Sequence, residues 1–297
     1  VLSLCEHLEK DGFRVHYLKV DGKGRLDLEA YRSLLSDRVA VVSVMWANNE
    51  SGTLFPVLEM AHAAGVMFHT DAVQAVGKIP MELKSSRIDM LSLSGHKLHA
   101  PKGIGVLYLR RGVRYRPLLR GGHQERGRRA GTENAPAIVA LGKAAEQALE
   151  HMDYENTFVA ALRDRLEEGI LKQVTHAFVN GDPDNRLPNT SNIAFEFIEG
   201  EAILLLLNKL GIAASSGSAC TSGSLEPSHV MRAMNIPYTA AHGSMRFSLS
   251  RYNTMDEIER VIAAVPPIIA RLRRLSPYWG EGGPVEEPEK AFAPAYA

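Results

Sequence analysis

Apolar positions along the first half of the chain switch repeatedly between helical spacing and strand-like runs, with polar and glycine-bearing stretches between them. Val1 to Gly12 places apolar residues at positions 1, 4, 5 and 8 and closes on glycine, which predicts an amphipathic helix with Cys5 on its packed stripe. No initiator Met and no N-cap precede it, so the expectation is a chain that opens inside an element, with upstream sequence missing. Phe13 to Val20 alternates as a strand does, and Asp27 is placed to cap a helix running to about Leu35. Val39 to Ala47 is a near-continuous apolar run, the pattern of a strand covered on both faces. Asn48-Asn-Glu-Ser-Gly52 reads as a polar loop and Pro56 to Ala64 as a short helix. Val66 to Thr70 is a strand with Asp71-Ala-Val-Gln74 immediately beyond it, and Ile88 to Leu93 and Ile104 to Leu109 are two more. Strands interleaved with helices imply βαβ units, hence an α/β domain built on a mainly parallel sheet.

Beyond Gly131, Thr132 or Asn134 can cap a helix with Pro136 in its first turn. Tyr154 to Val174 predicts a longer helix with Phe158, Leu162, Leu166 and Ile170 on one stripe. The texture then changes. Ala177 to Val179, Asn192 to Ile198 and Gly243 to Leu249 read as strands, and Glu201 to Leu210 as a helix stopped by Gly211. Thr254-Met-Asp-Glu257 is a capping box opening a helix with Ile258, Val261, Ile262, Val265 and Ile269 inward. A smaller α+β domain is therefore expected from about residue 153, with an irregular tail from Trp279.

Composition narrows the classes of function. Hydrophobic residues make up 45% and charged residues 23%, an ordinary globular balance. Lys plus Arg equals Asp plus Glu at 34 each, so no global field points to nucleic acid or a membrane surface. The longest apolar run, Ala202 to Leu207, is too short to span a bilayer. Two cysteines argue against a disulfide framework and fit a reducing compartment, so a cytoplasmic location is expected. The arginine- and glycine-rich stretch Arg110 to Gly131 lacks the aromatic interleaving of a nucleic-acid surface and suits a smaller anion better.

Ligands of a parallel sheet collect beyond the carboxyl ends of its strands, and Asn48, Asn49, Asp71, Gln74 and Lys97 all fall there. Lys97 lies in Ser92-Leu-Ser-Gly-His-Lys-Leu-His-Ala-Pro-Lys-Gly-Ile-Gly105. A lysine at the end of a buried strand loses its proton more readily than a solvated one and can form a Schiff base with a carbonyl cofactor. The plain alternative is a surface lysine in a turn. Asp71 behind a pyridine ring would keep the ring nitrogen protonated, against the alternative of a helix cap; Gln74 could donate to a phenolic oxygen. Cys220 sits in Ala213-Ala-Ser-Ser-Gly-Ser-Ala-Cys-Thr-Ser-Gly-Ser224, which no apolar strand claims, so its thiol is either reactive or incidental. Arg246 lies in an alternating strand opposite Met245 and Phe247, placed for a bidentate carboxylate contact or for solvent. A zinc site from His96, His99 and Cys220 lacks paired ligands at both ends. A Cys–His peptidase pair, like zinc, leaves Asp71, Gln74 and the arginine–glycine stretch unexplained, and no metal is expected.

Six segments in fixed order carry a resemblance: Asn48-Asn-Glu-Ser-Gly52, His69-Thr-Asp-Ala-Val-Gln-Ala-Val-Gly-Lys78, Ser94-Gly-His-Lys-Leu-His-Ala-Pro-Lys-Gly103, Gly121-Gly-His-Gln-Glu-Arg-Gly-Arg-Arg-Ala-Gly-Thr-Glu-Asn134, Ser215-Ser-Gly-Ser-Ala-Cys-Thr-Ser-Gly223 and Arg246-Phe-Ser-Leu-Ser-Arg-Tyr-Asn253. Together they resemble the cysteine desulfurases, within class V of the pyridoxal-phosphate-dependent aminotransferases, and most closely the nitrogenase-associated type. The resemblance implies the fold type I transferase architecture. Residues 1–152 would form a large cofactor-binding domain lacking its N-terminal part, and 153–297 a small domain carrying the cysteine loop. It implies that Lys97 is the Schiff-base lysine, Asp71 the pyridinium partner, and Gln74 with Asn49 the contacts to ring oxygen or substrate. Ser94 and His96 would hold the phosphate of pyridoxal 5'-phosphate, and Thr132 would reach the phosphate of the neighbouring subunit in a homodimer. Arg246 would bind the substrate carboxylate and Cys220 would attack the substrate sulfur.

The implied reaction takes sulfur from L-cysteine, leaves L-alanine and a Cys220 persulfide, and delivers the sulfur to an iron–sulfur scaffold protein, with nitrogenase maturation as the expected purpose. Two departures stand out: the family's upstream phosphate loop and ring-stacking histidine lie before Val1, and the helix Pro56 to Ala64 is about one turn shorter than the family pattern. The alternatives are a selenocysteine lyase or aminotransferase on the same scaffold, or a catalytically silent remnant that dimerises or binds a scaffold.

Overall fold

The computed structural model of the chain describes residues 1–216 and 227–285. Its first sheet comprises β1 (Val41–Met45), β2 (Met67–Asp71), β3 (Met90–Ser94) and β4 (Gly105–Leu109), hydrogen-bonded in that order. The first three strands are parallel, and β4 returns antiparallel to β3. Two helices precede the sheet, α1 (Leu2–Lys10) and α2 (Leu28–Leu34). Asp27 caps α2 as expected, its carboxylate accepting from Ala30 N at 2.9 Å. Between β1 and β2 runs α3 (Val57–Ala64), stopped by Gly65 in the left-handed region at φ 63°. Val57, Met60, Ala61 and Ala64 of this helix form a core with Phe68, Ile88 and Leu91.

Three expectations for this half are corrected. β1 is covered on one face only: Val42 and Val44 pack on the core, whereas Val41 and Met45 on the opposite face remain 49% and 40% exposed because no described element packs over them. Phe13 to Val20 forms no strand, because no neighbouring strand offers it a ladder; a lone bridge joins Val20 to Leu26. The opening helix α1 buries no residue fully, and Cys5 is half-buried rather than packed into a core.

A single turn, α4 (Gln124–Gly127), interrupts the arginine–glycine stretch. Next comes α5 (Ala135–Glu150), capped by Asn134 rather than Thr132, the Asn134 side chain accepting from Ala137 N. A further turn, α6 (Met152–Tyr154), leads through a π turn at Glu155–Val159 into α7 (Ala160–Leu171). Counted back from Ile170 at about 3.6 residues per turn, the inward stripe reaches position 159, where the π turn ends. Leu162, Leu166 and Ile170 are buried as predicted, but Val159 takes the inward position expected for Phe158, which is exposed.

The second sheet is antiparallel throughout, ordered β5 (Ala177–Val179), β6 (Thr190–Phe195), β8 (Ser244–Ser248), β7 (Ser215–Ser216). It packs against α7, α8 (Gly200–Lys209) and α11 (Met255–Leu275), whose Ile258, Ile262, Val265 and Ile269 join Ile193, Phe195, Met245 and Phe247 in one core. The Thr254–Glu257 capping box is present. Short helices α9 (His229–Ala233) and α10 (Tyr238–Ala241) precede β8. The tail from Trp279 is not irregular at its start. It forms a small hairpin of β9 (Trp279–Gly280) and β10 (Gly283–Pro284), with the Arg273 guanidinium 4.2 Å from the Trp279 ring centre. Among the described residues no helix is long and apolar enough to cross a membrane.

Candidate active site

Lys97 sits on a single 3-10 turn, Gly95–Leu98, that begins where β3 ends. Glycine is required at the start of that turn, since a β-carbon on Gly95 would lie 2.7 Å from Ile104 Cγ2. Leu98 anchors the other side of the turn in a cluster with Leu141, Ala144 and Ala148 of α5. With its neighbours fixed, Lys97 is half-buried at a cavity of about 110 Å³, lined also by Asn49, Gln74, Lys78, Asn189 and Arg246.

The loop after β1 delivers Asn49. Asn48 folds that loop on itself, its Oδ1 accepting from Glu50 N at 2.8 Å and Ser51 N at 3.0 Å. Asn49 O then accepts from Arg246 Nη1 at 2.7 Å, joining the first sheet to the second at the cavity. Arg246 projects from β8 away from its buried neighbours Met245 and Phe247, as the alternation predicts, and its Nε is buried without a hydrogen-bond partner.

Asp71 is the last residue of β2 rather than the first beyond it. Its Oδ1 accepts from Val73 N at 2.9 Å, and it is registered against Ser92 of β3, so the two side chains share a sheet face. Ser94 Oγ and His96 Nδ1 are 2.7 Å apart and line a separate open depression of about 480 Å³ with Lys102 and Gly103. Thr132 is exposed in the loop before α5 and lines neither space. Cys220 lies outside the described residues. The structure thus gathers Lys97, Asn49, Gln74 and Arg246 at one cavity, with Asp71 at the end of β2 and Ser94 and His96 grouped at the depression.

Three residues at the site escaped the sequence reading. Lys78 lines the cavity and pairs with Glu155 at 2.7 Å. His69 lies between two hydroxyls across three strands, with Ser43 Oγ 2.8 Å from Nδ1 and Ser92 Oγ 2.9 Å from Nε2. Burial holds its pKa below the ordinary imidazole value, partly offset by Asp71. Its place two residues before Asp71 on one strand was the available signal. Glu50 is buried, and burial pushes its carboxyl up to about 7 against the opposing pull of Ser228 and Arg246.

Residues 1–261 match the family model for class-V aminotransferases. A protein named cysteine desulfurase NifS from Azotobacter vinelandii is 76% identical over all of this chain and 74% of its own length. A cysteine desulfurase from Klebsiella pneumoniae is 62% identical over 99% of this chain and 75% of its own. Among solved structures, a NifS-like protein superposes with a TM-score of 0.85 at 36% identity, over 92% of this chain and 72% of that one. The chain belongs to the cysteine desulfurases of the class-V aminotransferase family.

Proposed function

We propose that the chain acts as a cysteine desulfurase, using pyridoxal 5'-phosphate to take sulfur from L-cysteine and release L-alanine. The observation that carries this reading is the convergence of Lys97 and Arg246, from different sheets, on one cavity with Asn49 between them. An amine able to capture a carbonyl and a guanidinium able to bind a carboxylate are the two contacts an α-amino acid needs at a carbonyl cofactor. The residues fit the cofactor. Asp71 offers a carboxylate at the strand end, Ser94 and His96 offer hydrogen-bonding groups at the open depression, and Arg246 lines the cavity beside Lys97.

When bound, pyridoxal phosphate supplies a carbonyl for the substrate amine and a ring that accepts electrons. Lys97 anchors it and then moves a proton at the substrate α-carbon. Asp71 keeps the proton on the ring nitrogen, Gln74 and Asn49 hold the ring oxygen or the substrate, and Ser94 and His96 hold the phosphate. Thr132 reaches the phosphate of the second subunit in a homodimer. Arg246 fixes the substrate carboxylate. The Cys220 thiolate attacks the substrate sulfur; the S–S bond forms as the C–S bond breaks, and the carbon keeps the electron pair and takes a proton to become alanine. The persulfide then passes its sulfur to an iron–sulfur scaffold protein, in the cytoplasm, for nitrogenase maturation. In this reading residues 1–152 hold the cofactor and 153–297 form the smaller domain that brings Arg246 and Cys220.

The test is to purify the chain with pyridoxal phosphate, record its visible absorbance, and measure sulfide and alanine formed from cysteine under a thiol reductant. A coloured protein whose sulfide release disappears in Cys220→Ala is expected. A colourless, inactive chain that still dimerises would favour the silent remnant, and transamination indifferent to Cys220→Ala would favour an aminotransferase.

A further inference from the structure

Asn49 and Glu50 are adjacent, yet Asn49 is exposed at the cavity while Glu50 is 3% exposed. Three elements fix Glu50. Its N–H donates to Asn48 Oδ1, its carbonyl accepts from Asn192 Nδ2 of β6 at 3.3 Å, and its Oε2 accepts from Ser228 Oγ at 2.6 Å. Ser228 is itself committed, because its Oγ caps α9 by accepting from Val230 N at 3.1 Å. Asn192, which holds the Glu50 carbonyl, is registered directly against Arg246 of β8, and among the described residues Arg246 is the charged group whose field acts on the Glu50 carboxyl. From β6 comes the neutral Asn192, and from the start of α9 comes Ser228 with His229 next along, whose imidazole is held below its usual pKa by burial.

Arg246 is therefore shared. One nitrogen is bound to Asn49 O, Nε has no partner, and the Glu50 carboxyl lies within its field. We propose that Glu50 is a positioning residue for the carboxylate site at Arg246, an internal competitor whose charge state sets how tightly an incoming carboxylate is held. The proposal rests on the reading of Arg246 as the substrate carboxylate contact. When Glu50 is neutral, the guanidinium presents its full potential to the cavity. When Glu50 is ionised, part of that potential is neutralised and the incoming carboxylate is also repelled. Carboxylate binding is then tight below the titration of Glu50 and weaker above it. By reciprocity, a bound carboxylate favours the neutral form of Glu50. Neutral amino acids keep this contact and gain no second one, so the device grades affinity without moving the chemistry.

The full chain loaded with pyridoxal phosphate provides the test, with propionate as a probe that has no amine or thiol to titrate. Its dissociation constant is measured by calorimetry, and its inhibition constant against cysteine by sulfide release, across the neutral range. Wild type is expected to weaken roughly tenfold with rising pH, the effect of about one pK unit of coupling. Glu50→Gln keeps an acceptor for Ser228 and should bind with the tight, low-pH constant throughout. Ser228→Ala removes a bond that favours the ionised carboxyl, so its transition should move to higher pH. A flat wild-type profile, or an unchanged slope in Glu50→Gln, overturns the proposal. Propionate binding undiminished in Arg246→Gln overturns it together with the carboxylate-site reading. A wild type that releases no sulfide sinks the desulfurase reading alone, and the calorimetric slope still decides on Glu50.

Discussion

Lys78 Nζ and Glu155 Oε1 meet at 2.7 Å with 9% and 0% of their side-chain surfaces exposed, a buried ion pair that pins the segment after β2 to the π turn ahead of α7. The next residue, Asn156, donates from Nδ2 to Lys78 O at 2.8 Å, so consecutive residues hold both the side chain and the backbone of one lysine. Lys78 also lines the Lys97 cavity, which makes this pair a wall of the site as well as a strut of the fold.

Removing one member leaves a buried charge without its counterpart, and that is where the cost lies. Lys78→Met and Glu155→Gln are each expected to lose about 3–5 kcal/mol. The double variant Lys78→Met/Glu155→Leu should recover most of it. Urea midpoints at constant slope give the numbers, and a double variant no better than either single one would refute the argument.

Two glycines should respond in opposite directions. A β-carbon on Gly243 would collide with Phe195 O, where β6 and β8 are in register, and backbone cannot swing aside as a side chain can. Gly243→Ala is expected to cost about 3 kcal/mol or more and to lower soluble yield. Gly142 lies in α5, where an added β-carbon would meet nothing within 4 Å, so Gly142→Ala should stabilise by about 0.5–1 kcal/mol. Thermal midpoints of both variants, measured side by side, test the pair.

What the sequence made legible was local. Asp27, Gly211 and Thr254 mark helix ends through their own side chain or backbone freedom, so a reader needs no tertiary partner to find them. Lys97, Asn49 and Gln74 were legible because strand ends are where an α/β sheet exposes its ligands, and the structure brings them to one cavity. Most failures concern partners. Phe13 to Val20 has strand spacing but no neighbour to pair with, and β1 has an apolar sequence but no described element over its outer face. Phe158 lost its inward place to Val159 because a strict four-residue spacing overshoots the 3.6-residue repeat, which counted back from Ile170 reaches position 159. Glu50, His69 and Lys78 acquire meaning only from Ser228, Ser92 and Glu155, distant in sequence.

Asp182 gives an acid-side prediction. Arg25 reaches it with two bonds, Nε to Oδ2 at 2.5 Å and Nη2 to Oδ1 at 2.8 Å, and holds its carboxyl down at about 2. A depressed carboxylate contributes stability above its unfolded pKa, near 3.9, and loses it as pH falls toward the folded value. Arg25 is 45% exposed, so solvent screening trims the contribution to about 1–2 kcal/mol at neutral pH. Asp182→Asn should therefore lose that amount at neutral pH and show a flatter stability profile between about pH 4 and 2. Chemical denaturation at a series of pH values checks both, and parallel acid limbs in the two proteins would refute it.

Arg246 offers the sharpest division between binding and chemistry. Its Nη1 is spent on Asn49 O, and the guanidinium lines the Lys97 cavity, where its remaining donors can take a carboxylate. A lysine at this place keeps the charge but has no fork, so it cannot hold the Asn49 carbonyl and a carboxylate in one plane. The carboxylate takes no part in either the α-proton transfer or the C–S cleavage, so its contact with Arg246 is nearly the same in substrate and transition state. Loss of such uniform binding raises KM and leaves kcat nearly untouched. Arg246→Lys is expected to raise KM for cysteine about 10- to 100-fold with kcat within a few-fold of wild type, corresponding to about 1.4–2.7 kcal/mol of binding. Steady-state sulfide release with cysteine measures both constants. A fall in kcat at unchanged KM would instead place Arg246 among the groups that act only as the C–S bond breaks.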